Sequence, residues 1–137
     1  MPVHVPLSEE AKGVLANWYK ESLINDTPLL MGSFFGGLFG LFGQHAVTLN
    51  GKVHITRHAP ALDTDIGIML IGHELFHVEE QLRRGWWPYL IAYLAGWRPT
   101  HISNGASHPL ERGAYERGSE VLRLVQSRRR ERRGDGG

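Results

Sequence analysis

The feature that most constrains this chain is a stretch of helical periodicity between residues 63 and 84 that carries two kinds of side chain on two faces. Ile71, Leu75, Val78 and Leu82 recur at i, i+4, i+7 and i+11, which predicts one apolar stripe turned to a core. Asp63 or Thr64 can cap the start, and Gly85 follows Arg83 and Arg84 at the end, so the pattern reads as a helix closed at both ends. His73 and His77 stand four residues apart on a different face from the stripe, so they are not core filling. The run His73-Glu74-Leu75-Phe76-His77 is therefore HExxH inside a helix.

Two imidazoles one turn apart can point at one atom, about 2.0 to 2.1 Å from each nitrogen in a zinc site. Glu74, offset by one residue, lies beside such an ion, where a carboxylate can take a proton from activated water and return it to a leaving group. The chain has no cysteine, so a transition metal must be held by His, Asp or Glu, and that donor set favours zinc. A catalytic zinc needs a third protein ligand and one open position. Glu80 and Arg83 stand where the extended motif HExxHxxGxxH requires Gly and His, which excludes the metzincin arrangement. The third ligand must come from elsewhere, and residues 108–115 (HPLERGAY) are the best source.

With that segment in view, the chain resembles the gluzincin class of zinc metallopeptidases, in which HExxH on one helix is completed by a Glu on a later helix. The later motif often reads Glu-x-x-Ala/Ser-Asp, and Glu111-Arg112-Gly113-Ala114-Tyr115 matches it with Tyr where Asp is common. The likeness covers residues 45 to 125 and extends to small single-domain metallopeptidases of bacteria. It implies His73, His77 and Glu111 as zinc ligands, Glu74 as general base and acid, and a peptide or protein as substrate. It also implies an edge strand before the active-site helix that pairs with extended substrate. Tyr115, four residues after Glu111, is placed by the resemblance to bond a ligand or the transition-state oxyanion. Glu116, Glu120, His108 and His101 remain the alternatives to Glu111.

The remaining segments predict an α+β fold, mostly helical, a minimal zincin-like domain with a β-hairpin or edge strand before the active-site helix. Ser8, Glu9 and Glu10 begin a helix over 8–24, with Ala11, Val14, Leu15 and Trp18 on one face. Residues 28–43 carry no charge and five glycines, too short to span a bilayer, and read as a buried, glycine-loosened segment or cleft wall, with membrane contact or an oligomer interface as alternatives. From Ala46 to Thr56 the apolar period is two around Asn50-Gly51, a β-hairpin. A short aromatic helix over 88–96, flanked by Trp86, Trp87 and Trp97, precedes a loop with His101, Asn104 and Gly105. A last helix runs from Pro109 to about 130, with Leu110, Ala114, Val121 and Val125 buried. His54 reads as the polar face of a strand, and His4, His45 and His58 are scattered. Gln81 is spaced to line the groove beside His77, and Glu79 and Arg83 to pair.

Residues 1–127 are expected as one domain and 128–137 as a disordered basic tail. The five arginines of the tail do not extend over the body, so no nucleic-acid role is expected. The first ten residues lack the pattern of a signal peptide, which makes a bacterial cytoplasmic location the default expectation. Two further functions compete with a zinc-dependent peptide hydrolase. One is a catalytically inactive zinc-binding module acting in protein interaction or assembly. The other is a membrane-associated structural protein built around 28–43 and 86–97.

Overall fold

A computed structural model describes residues 2–41, 43–96 and 108–134, and it is an α+β domain. In chain order the elements are β1 (Val3–His4), α1 (Glu9–Leu15), α2 (Glu21–Asp26), β2 (Leu29–Met31), α3 (Phe34–Gly40), β3 (Ala46–Leu49), β4 (Lys52–Ile55), α4 (Asp65–Arg84), α5 (Trp86–Ala95) and α6 (Pro109–Arg132). Trp97, His101, Asn104 and Gly105 lie outside the described residues.

Helix α4 forms as its caps predict. The Thr64 hydroxyl accepts the Gly67 N–H at 3.0 Å, and Gly85, at a φ of 86° that L residues avoid, ends it. Its buried stripe is Ile68, Ile71, Leu75 and Val78, whereas Leu82 is 66% exposed. The last turn of α4 reaches the hairpin turn, where Leu82 passes Gly51 and has no core beneath it.

The sheet order is β1-β2-β4-β3, with β2 and β4 parallel and the other pairs antiparallel. The hairpin β3–β4 turns at Asn50 and Gly51 with φ of 50° and 76°, the left-handed pair that a two-residue turn requires. Ala46, Thr48, Val53 and Ile55 share the face against α4, because their partners in the register are one another. His54 is on the other face, opposite Val53 and Ile55, and is buried there. The Ser33 hydroxyl is hydrogen-bonded to its Nδ1 at 2.8 Å, and the Phe35 ring meets it edge-on. Strand β3 is an edge of the sheet.

Helix α6 lies along α4 at a close approach that glycines permit. A Cβ on Gly72 would stand 2.7 Å from Val121, and one on Gly113 would stand 2.5 Å from Phe76. Ala114, Val121 and Val125 are fully buried there, as the periodicity predicts, while Leu110 is only half-buried.

Four further expectations need correction. The single helix over 8–24 is two helices. The Asn17 amide donates to the carbonyls of Gly13 and Val14 and ends the first, so that Tyr19 turns inward and donates to the Gly72 carbonyl at 2.7 Å. Residues 28–43 are not simply buried. Gly36 and Gly40 lie against Ile55 and Thr56 of the sheet, which leaves Phe34 and Leu41 facing outward at 75% and 69% exposure. The basic segment does not leave the fold at residue 128. Helix α6 continues to Arg132, because Arg129 and Arg132 both donate to the Glu10 carboxylate. On α4, Glu80 rather than Glu79 pairs with Arg83, and with Arg84 as well.

Among the described residues, no helix is long and apolar enough to cross a membrane.

Candidate metal centre

Helices α4 and α6 bring His73, His77 and Glu111 together. Their ligand atoms all lie within 4.8 Å of one another. Glu111 Oε2 stands 2.9 Å from His77 Nε2 and 3.3 Å from His73 Nε2, so one carboxylate oxygen faces both imidazoles. Glu111 occupies the first turn of α6, whose phase against α4 is set by the contacts of Gly72 and Gly113.

The electrostatics follow from this convergence. Burial opposes charge on Glu111, but hydrogen bonds from His73 and His77 outweigh it and hold the carboxyl far below the usual carboxylate range. Burial likewise lowers His77, and the bond and charge of Glu111 reverse that, leaving its pKa raised. A cation at the centre of the three donors would take the place of these hydrogen bonds. Two nitrogens and one carboxylate oxygen without sulfur are a donor set that fits zinc.

Glu74 is beside this group and not part of it. It is buried, and its Oε2 accepts a 2.6 Å hydrogen bond from the Thr48 hydroxyl of the edge strand β3. Tyr115 stands at the rim, 46% exposed, with its ring edge-on to His73 at 4.7 Å. Burial and the Glu111 charge push its phenol up.

Of the alternatives to Glu111, His101 lies outside the described residues and the other three are placed elsewhere. His108 is fully buried and caps α6, its Nε2 donating to the Tyr93 carbonyl at 2.7 Å and its Nδ1 accepting the Leu110 N–H at 3.0 Å. Both nitrogens are thus engaged. Glu116 and Glu120 are on the exposed side of α6, and Glu120 is 3.7 Å from Arg117. Gln81 does not line the groove. Its amide donates to the Thr48 carbonyl at 2.9 Å and accepts the Gly51 N–H at 2.8 Å, clasping the hairpin to α4.

Three residues near the centre escaped sequence reasoning: Thr48, Tyr89 and Tyr93. Tyr89 OH is 3.1 Å from His77 Nδ1, and Tyr93 OH donates to Glu111 Oε1 at 3.3 Å. The available signal was the i, i+4 spacing of two tyrosines on an otherwise apolar helix.

Residues 38–85 match the family model described as the eCIS core domain, a span that holds the hairpin and all of HExxH but less than half of the chain. No curated protein and no solved structure matches the chain.

Proposed function

We propose that this protein is a zinc-dependent peptide hydrolase of the gluzincin kind, with His73, His77 and Glu111 as ligands and Glu74 as general base. The observation that carries the reading is the convergence of His73, His77 and Glu111 beside a buried glutamate that is not one of them. A zinc ion held there would supply Lewis acidity, activating water at neutral pH and polarising a carbonyl. Glu74 would accept the proton from water and return it to the departing amine, with Thr48 fixing the direction of its carboxylate. Tyr115, half-exposed at the rim, would donate to the oxygen that gains charge. Strand β3, an edge of the sheet, is where an extended peptide would pair, apart from the Thr48 carbonyl that the Gln81 amide occupies.

Metal analysis and a cleavage assay test this together. The purified protein should hold about one zinc per chain, lose it to a chelator, and cleave an unfolded protein substrate only when zinc is present. Glu74→Gln should keep the zinc and lose cleavage.

The eCIS core match supports a second reading, a component of an injection system in which the metal holds the domain together for assembly and no substrate is turned over. Zinc-loaded protein that binds unfolded peptide without cleaving it would favour that reading. A chain that neither contains nor takes up zinc would overturn both.

A further inference from the structure

Helix α5 presents Tyr89 and Tyr93, one turn apart, to two different ligand side chains. Tyr89 is buried at 6% exposure, and its hydroxyl meets His77 Nδ1, the nitrogen turned away from Glu111. The Tyr93 hydroxyl meets Glu111 Oε1, the oxygen turned away from the histidines. Tyr93 is itself held. Its ring stacks on His108 with centroids 4.0 Å apart and planes 18° apart, and its carbonyl accepts from His108 Nε2. Since His108 also caps α6, the turn that carries Glu111 hangs on the residue that bonds Glu111.

We propose that Tyr89 and Tyr93 are the positioning residues of the metal centre, holding His77 and Glu111 with Nε2 and Oε2 turned to the ion. The inference rests on the metal-binding reading of His73, His77 and Glu111 given above, and it is independent of turnover.

The choice of a phenol has a physical reason. When the His77 ring is neutral and its Nε2–H donates to Glu111, Nδ1 accepts from the Tyr89 hydroxyl. With a cation on Nε2, the neutral ring would carry its proton on Nδ1, which would donate to the same hydroxyl oxygen. A hydroxyl serves both states, whereas a carboxylate or carbonyl only accepts and would serve the second alone. The imidazole therefore stays in one orientation whether or not the ion is present. The ligand set already contains one carboxylate, and Tyr89 adds this support without a second negative charge.

Cobalt(II) titration of the full chain, read by its visible absorption and by competition with a chromophoric chelator, tests the proposal without any turnover assay. Wild type should take one equivalent of cobalt with intense tetrahedral-type bands. Tyr89→Phe should bind about 10- to 100-fold more weakly with altered bands, the range expected when the partner of a ligating histidine is removed. Tyr93→Phe, at a less buried position, should weaken binding in the same direction and covers the case in which Tyr89→Phe fails to fold. Ile91→Ala, on the exposed side of α5, should match wild type. If wild type binds cobalt and both phenylalanine variants keep its affinity and spectrum, the proposal is overturned while the metal site stands. If wild type binds no cobalt, both fall.

Discussion

Thr48 on the edge strand donates a 2.6 Å hydrogen bond to Glu74 Oε2, which ties the glutamate of HExxH to the sheet. The bond joins the place where a peptide would pair to the group that would activate water. Thr48→Val keeps the shape of the side chain and removes the donor. It is expected to leave zinc content unchanged, to lower stability by about 1 kcal/mol, and to reduce cleavage by less than the roughly 10²- to 10⁴-fold lost in Glu74→Gln. Calorimetry and initial rates on the zinc-loaded variants check this. A Thr48→Val protein as fast as wild type would remove Thr48 from the site.

Glu111 has two possible roles at the start of α6, and their magnitudes differ. A carboxylate that only complements the helix dipole contributes about 0.3 to 1 kcal/mol and does not affect metal. A ligand removed from a three-residue site weakens zinc by orders of magnitude and lowers the melting temperature of the zinc-loaded protein. Glu111→Gln is expected to show the second pattern, and Glu116→Gln and Glu120→Gln neither, in competition with a chromophoric chelator. Damage from Glu116→Gln with a neutral Glu111→Gln would refute the assignment.

The pH dependence of stability should have opposite signs with and without metal. In the metal-free protein the lowered pKa of Glu111 contributes stability that is complete above its usual value of 4.5 and is lost as pH falls. The raised pKa of His77 contributes stability that is complete below its usual value of 6.5 and is lost as pH rises through the raised value. Chelator-treated protein is therefore expected to gain most from this pair in weakly acid solution and to lose that gain on going alkaline. Zinc binding requires neutral imidazoles, so the zinc-dependent increment in melting temperature should grow with pH over the same range. Thermal melts at several pH values, with zinc and with chelator, read both slopes.

Gly113 faces Phe76 at the α4–α6 contact, two residues from Glu111. An alanine in an exposed helix would gain about 1 kcal/mol over glycine. Here its Cβ would stand 2.5 Å from the Phe76 ring, and overpacking of that kind costs about 1 to 3 kcal/mol. Overpacking is expected to win. Gly113→Ala should be destabilised and should also bind zinc more weakly, because α6 must shift with Glu111 on it. Unchanged zinc affinity in a folded Gly113→Ala protein would show that the helix contact does not set the ligand.

Local patterns were enough to reveal the capped α4 helix, its HExxH, the hairpin at Asn50-Gly51 and the Pro109 start of α6, because each depends on residues a few positions apart. The same patterns could name residues 108–115 as the source of a third ligand, but left Glu116, Glu120, His108 and His101 as rivals to Glu111. That choice depends on the rotation and axial offset of α6 against α4, which Gly72 and Gly113 set by close contact and which no helical period records. Thr48, Tyr89 and Tyr93 were invisible for the same reason: each meets its partner across two elements, and each occupies a position that packing alone would explain. Periodicity also overstated the core, because Leu82 keeps the phase of the stripe after the sheet beneath it has ended. Sequence determined which helix carries the two imidazoles and the glutamate beside them. Tertiary packing alone decided which carboxylate completes the set and which hydroxyls hold it.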